Sequence, residues 1–254
     1  MIKLTAVIIT LNEERNIGRC LESLSGIADE IIVVDSGSKD HTESICRHHK
    51  AIFVNHPFEG HIEQKNFAVT QSSSDYILSL DADEALSPEL KASILAVKAN
   101  WEKDVYSFNR LTNYCGKWIR HCGWYPDRKL RLFRKSKGKW AGTNPHDQFI
   151  PAEDTTSGFL RGNLLHYSYY SIREHLEQVN RFTEISARSA FETGHRSSIF
   201  HILAKPLARF IRDYVFHRGF LDGYFGLVIC RISSHASFIK YVKLYELQKS
   251  KKQS

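Results

Sequence analysis

The sequence predicts an α/β fold, a mostly parallel sheet flanked by helices and followed by a helical C-terminal extension. Three observations lead there. Short apolar, β-branched runs alternate with helix-forming stretches through the first hundred residues, the chain then turns strand-rich, and its final sixty residues are basic and amphipathic. At 254 residues, 42% apolar and 25% charged, the chain can bury one sizeable core with a small appendage.

The apolar runs are residues 4–10, 30–35 (EIIVVD), 51–55 and 76–81 (YILSLD). Between them, residues 17–24, 42–49 and 62–71 have helical spacing, the second after a D-x-x-E capping box formed by Asp40 and Glu43. Ser87-Pro88-Glu89 supplies an N-cap, a proline at the first helical position and an acid in the first turn, opening a helix to about Asn100. This βα alternation implies a parallel sheet that binds its ligand outside the carboxyl ends of the strands. Residues 105–110, 129–134 and 158–165 read as further strands, and 172–193 as a helix with the face Leu176, Val179, Phe182, Ser186, Ala190. The expected organisation is a catalytic domain over 1–195 and a basic amphipathic extension over 196–254.

Charge and cysteine usage narrow the function classes. Residues 1–194 carry 24 Lys and Arg against 25 Asp and Glu, whereas 195–254 carry 11 against 3. A basic end of this kind suits a polyanion, either nucleic acid or an anionic membrane surface. In residues 199–216 a helical wheel sets Leu203, Leu207, Phe210 and Tyr214 opposite Lys205, Arg209 and Arg212, while the apolar stretch 219–230 is too short to span a bilayer. The extension is therefore expected to dock on an anionic membrane without crossing it, the alternative being packing on the catalytic domain or a second subunit. Five cysteines without CxxC spacing, and an N-terminus that reads as a strand and not a signal peptide, point to the cytoplasm. Cys115, His121 and Cys122 match structural zinc spacings poorly. Basic residues of 129–139 alternate with apolar ones as in a half-buried strand, although Arg131 and Arg134 suit the phosphates of an anionic acceptor.

The chemistry concentrates at strand ends. Asp81-Ala82-Asp83 leaves the fourth run, and two carboxylates spaced i, i+2 on such a turn can approach one hard cation, although the same short string also occurs in ordinary turns. Asp35 closes the second run, where a carboxylate can accept hydrogen bonds from a base or ribose. No GxGxxG follows the first run, which argues against a dinucleotide oxidoreductase. His166 ends a later strand and is a candidate for the metal shell or the diphosphate, against a purely structural alternative.

Taken in order, Thr10-Leu11-Asn12-Glu13-Glu14, VVDSGSKDHT, Gln64-Lys65-Asn66 and the DAD turn resemble the family 2 inverting glycosyltransferases of GT-A fold. Downstream, Gly123-Trp124-Tyr125-Pro126, Leu130 to Lys135, Pro145-His146-Asp147, His166-Tyr167-Ser168, Asn180 to Thr183 and Gly219 to Gly223 resemble the subfamily of lipopolysaccharide inner-core β-1,4-glucosyltransferases. The resemblance implies that Thr10, Leu11, Asn12, Glu13 and Asp35 hold uracil and ribose and that Lys65 lies near the nucleotide. It implies further that Asp81, Ala82 and Asp83 form the donor and metal turn, with Asp83 binding Mg²⁺ or Mn²⁺ directly. The general base it implies is Asp147, where the subfamily often carries glutamate. A UDP-sugar, best matched to glucose, is then the donor. A lipid-linked or lipopolysaccharide-core saccharide is the acceptor, at the inner face of a bacterial plasma membrane. Inversion needs a base for the acceptor hydroxyl and a cation for the leaving diphosphate, which these residue types supply.

Two other classes compete. A nucleotidyltransferase uses a similar sheet but normally has a glycine-rich, basic loop for the triphosphate, which Thr10 to Glu14 lacks. A non-catalytic polyanion-binding protein explains the basic end but leaves Asp35, Asp81 and Asp83 without a purpose, and no basic-aromatic motif favours nucleic acid as a partner.

Overall fold

The computed structural model describes the backbone of residues 2–143 and 146–253, and the side chains of these residues other than 143, 146 and 251–253. In chain order the elements are β1 (Leu4–Thr10), α1 (Ile17–Ser23), β2 (Glu30–Asp35), α2 (Thr42–His48), β3 (Ile52–Asn55), α3 (His61–Gln71), β4 (Tyr76–Asp81), β5 (Glu84–Leu86) and α4 (Pro88–Ala99). There follow β6 (Val105–Tyr114), β7 (Lys117–Ile119), β8 (Asp127–Arg134), β9 (Gly138–Thr143), β10 (His146–Pro151), β11 (Ser157–Tyr169), α5 (Ile172–Glu192), α6 (Ile199–Ile211) and α7 (Gly223–Gln253). They form two compact units, residues 1–111 with 127–167 and residues 112–126 with 168–254. This division differs from a break near residue 195, since α5 and the segment 112–126 group with α6 and α7.

In the first unit, β1 to β4 pair in parallel in the order β3-β2-β1-β4, and the sheet continues through β8, β6, β11 and β5, with β8 antiparallel to β4. Neighbouring residues of each central strand enter different cores. Ala6, Ile8, Val33, Leu78 and Leu80 join one cluster, while Val7, Ile32, Val34 and Ile77 join another. Burial on both faces explains why these strands read as continuous apolar runs instead of alternating ones. The α/β order read from the sequence and implied by the family resemblance is the order observed.

Two local details differ from expectation. The Asp40–Glu43 capping box does not form: Asp40 accepts from Thr42 N and Glu14 N, both at 3.0 Å, while Glu43 pairs with Arg47 at 2.6 Å. A short strand, β5, follows the DAD turn and runs antiparallel to β11, with Glu84 opposite His166. Gly162 lets β11 pass the first turn of α4, where φ is +93° and a Cβ would stand 2.2 Å from Leu90 N.

In the second unit, β7 pairs with the end of β6, and Tyr114, Ile119, Cys122, Ile229 and Cys230 form the core. On α5, the buried residues are His175, Thr183 and Ala187, and Leu176 and Phe182 of the predicted face are exposed. Specific partners outrank apolarity here. Tyr114 Oη lies 3.0 Å from His175 Nδ1, and Lys243 Nζ donates to Thr183 Oγ1 at 3.1 Å. The predicted face of α6 also divides: Phe210 and Tyr214 pack on the core, whereas Leu203 and Leu207 stay exposed. A π-helical turn, Arg212–Phe216, and a 3₁₀ turn, Gly219–Asp222, connect α6 to α7. Among the described residues, no helix is long and apolar enough to cross a membrane.

Candidate functional site

The carboxyl ends of β1 and β2 are joined by two loops that hydrogen-bond to each other. Asn12 N donates to Ser38 Oγ at 2.7 Å, Lys39 N donates to Asn12 Oδ1 at 2.8 Å, and Glu13 N donates to Thr42 Oγ1 at 2.9 Å. Asn12 holds φ of +53°, a conformation that its short polar side chain tolerates. Asp35, buried at the end of β2, accepts from Gly37 N at 2.8 Å, Ser38 N at 2.7 Å and the Ser38 hydroxyl. Its carboxylate thus holds its own turn. Thr10 Oγ1 is buried with no hydrogen-bond partner among the described residues, and Leu11 is exposed. Burial pushes the Glu13 carboxyl up to about 7, against a hydrogen bond from Asn16, with the neighbouring Asp83 and Asp40 adding to the rise.

At the end of β4 lies a cluster of opposed charges. Asp81 meets Lys65 Nζ at 2.9 Å and Arg131 Nη2 at 2.9 Å, and Arg131 also meets Glu84 at 3.3 Å. Lys65 Nζ reaches Asp147 Oδ2 at 2.7 Å, so one buried ammonium bridges two candidate acids. Burial raises the Asp81 carboxyl, but Arg131 and Lys65 outweigh it and hold the group well below the usual carboxylate range. Burial works the other way on the Arg131 guanidinium, yet Asp81 and Glu84 raise it further above its ordinary value. Both cations also face Trp140, with Lys65 Nζ 4.6 Å and the Arg131 guanidinium 5.1 Å from the ring centre.

Asp83 points elsewhere. Its Oδ2 lies 3.0 Å from His166 Nε2, and the two side chains are 25% and 15% exposed. Tyr167 N donates to the Asp83 carbonyl at 2.9 Å, and the Arg19 guanidinium sits 3.7 Å from the centre of the Tyr167 ring. A carboxylate and an imidazole side by side and reachable from solvent can share a divalent cation completed by phosphate oxygens, the carboxylate being the harder donor. Asp81 as placed does not fit that shell, since both its oxygens face cations. Among the described residues, no group of three or more His, Cys, Asp or Glu side chains is gathered to hold a metal by itself.

Of the residues singled out from the sequence, the structure brings together Lys65, Asp81 and Asp147 in one cluster and Asp83 and His166 in another, and Ala82 is buried between its neighbours. The His146 side chain lies outside the described residues. Sequence reasoning missed Glu84 and Trp140. Glu84 had a signal, a third acid immediately after the DAD turn, now seen accepting from Asp81 N at 2.9 Å. Trp140 had none.

The model of glycosyl transferase family 2 matches residues 5–152. An uncharacterized glycosyltransferase of Rickettsia felis is 32% identical over 99% of this chain and 93% of its own length. The lipopolysaccharide core biosynthesis glycosyltransferase LpsC of Rhizobium meliloti is 29% identical over 96% of this chain and 92% of its own. A crystal structure of glucosyl-3-phosphoglycerate synthase from Mycobacterium tuberculosis with Mn²⁺, UDP and glucosyl-3-phosphoglycerate is 24% identical, with a TM-score of 0.38, over 44% of each chain.

Proposed function

Because the chain belongs to glycosyl transferase family 2, we propose that it moves a sugar, with inversion at the anomeric carbon, from a UDP-sugar to a lipid-linked or lipopolysaccharide-core saccharide. Glucose is the sugar in this reading, and the inner face of a bacterial plasma membrane, with its anionic surface, is the place. The observation that carries it is the pair of separate acid stations around the end of β4, Asp83 beside His166 and Asp147 on Lys65. The likeness to LpsC, named for lipopolysaccharide core biosynthesis, supports the acceptor class.

Thr10, Leu11, Asn12 and Glu13 hold the uracil and ribose, and Asp35 serves them by fixing the turn that faces them. Asp147 takes the proton of the acceptor hydroxyl on Oδ1 while Oδ2 stays on Lys65 Nζ, which keeps the carboxylate aimed. Asp83 and His166 would hold Mg²⁺ or Mn²⁺. Such a cation, when bound, neutralises the departing diphosphate. Asp81, fixed by Lys65 and Arg131, orients the Lys65 ammonium beside the nucleotide.

Transfer from UDP-glucose to a truncated core acceptor is the test, with release of UDP and not pyrophosphate separating it from nucleotidyl transfer. Asp147→Asn should keep donor affinity and lose transfer by about 10²–10⁴-fold. Near-normal turnover of that variant moves the base elsewhere. Asp83→Ala should abolish metal-dependent UDP affinity in calorimetry while the fold persists. Unchanged affinity with and without chelator would end the metal reading.

A further inference from the structure

We infer that the exposed apolar side of α6, continued through the turns before α7, is a membrane-insertion surface whose occupant is an anionic lipid bilayer. Its purpose rests on the membrane-borne acceptor proposed above, while its basis lies in the side chains of residues 196–231.

Exposure is concentrated in this stretch. Of 21 large apolar side chains exposed among the described residues, 11 fall between Ile199 and Leu227, far from the scattered pattern of an ordinary surface. Ile199, Leu203, Leu207 and Ile211 recur every four residues along one side of α6 and are exposed by 65%, 67%, 60% and 41%. Phe216, Phe220 and Tyr224 follow, at 75%, 49% and 67%, rings of the kind that settle at headgroup depth. Meanwhile Phe210 at the end of α6 and Tyr214 in the π-helical turn after it pack on the core, so the stripe is exposed on a helix held by packing and not by fraying.

Charge selects the occupant. The acids between Arg196 and Arg231 are Asp213 and Asp222, and both are buried, at 1% and 4%. Asp213 is withdrawn against Arg209, Arg212 and His217, and Asp222 accepts from His121 N at 2.8 Å. What this stretch presents to solvent is therefore cationic, including Lys205, Arg218 and Arg231. An apolar stripe on a segment whose exposed charges are all basic matches an interface that is apolar inside and anionic at its skin. A second copy of the chain would bring like charges together around the stripe, and a nucleic acid offers no apolar phase to cover it. No helix among the described residues is long and apolar enough to cross, so the insertion proposed is shallow.

Flotation of the full chain, without nucleotide, on phosphatidylcholine vesicles with and without phosphatidylglycerol tests this. The wild type should float with the anionic vesicles and lose recovery at high salt. The double variant L203S/L207S, which changes exposed positions only and should match the wild type in circular dichroism melts, should bind at least about tenfold more weakly. K205Q/R231Q should bind more weakly and depend less on salt. Phe216→Trp fluorescence should be quenched by nitroxide-bearing lipids. Equal recovery of L203S/L207S and wild type, no preference for anionic lipid, or self-association in lipid-free buffer that L203S/L207S abolishes would each overturn the proposal. Since no sugar donor is present, failure here leaves the transferase reading standing, and failure of transfer leaves vesicle binding unaffected.

Discussion

The end of β4 and the outer side of α6 solve opposite problems. At β4, Lys65, Arg131 and Glu84 are taken out of water and must neutralise one another, and Asp81 joins them. Along α6, apolar side chains are left in water while the acids nearby are buried. Each arrangement costs free energy where it stands, the first through desolvation of charge and the second through hydration of hydrocarbon. Neither is what a sequence selected for stability alone would contain, and such departures tend to mark functional sites. The difference is in how tightly each is coupled to its surroundings. Removing one charge at β4 strands its partners, whereas removing one apolar group from α6 strands nothing.

Arg131→Met breaks the comparison most severely. It leaves Glu84 with Arg110 at 3.5 Å as its remaining cation, and unfolding by denaturant should show a loss of about 3 kcal/mol. A loss under about 1 kcal/mol would mean that water reaches the cluster. A smaller effect is expected at Glu13, whose carboxyl is raised from its ordinary 4.5 to about 7 by burial. Between those values the folded chain binds the proton that the unfolded chain releases, so stability should fall as pH rises from 4.5 through 7. Glu13→Gln should remove that slope and gain on the order of 1 kcal/mol at pH 8, the side chain being only partly buried; thermal melts across the range read it. Least of all, L203S/L207S should alter unfolding free energy by no more than about 0.5 kcal/mol. A core counterpart such as Leu78→Ala, at 0% exposure, should cost about 2–5 kcal/mol.

The parallel half of the fold was legible because its strands are buried on both faces, leaving uninterrupted runs such as EIIVVD and YILSLD. The acids at their ends were legible for the same reason. What could not be read was pairing over distance. Lys65 and Asp147 are 82 positions apart and meet where α3 approaches the paired strands β9 and β10, a contact no local pattern announces. On α5 the apolar stripe misled, since His175 and Thr183 are buried by their partners and Leu176 is not. The α6 wheel identified an amphipathic helix, but Phe210 and Tyr214 of its apolar side pack on the core while Leu203 and Leu207 are exposed, because a wheel carries no information about which neighbours a side meets along its length.

The double-sided burial of β1 has a consequence for how the chain finds its alignment. In a strand with one wet face, slipping by a residue exposes every apolar group and is self-correcting. With both faces dry, Ala6, Val7 and Ile8 would remain under cover after such a slip, so hydrophobicity alone is a poor judge of position. Polar fastenings at the ends take over that task. Leu4 N donates to Asp29 Oδ2 at 2.8 Å and Thr5 Oγ1 to Glu30 Oε2 at 2.7 Å, while at the far end Ser36 N donates to Thr10 O at 3.0 Å. Asp29 is itself gripped by Lys98 at 2.7 Å. The middle of the strand should therefore accept exchange among Ala, Val and Ile more readily than its ends accept loss of a single carboxylate, and it is those fastenings that bring Thr10 level with Asp35.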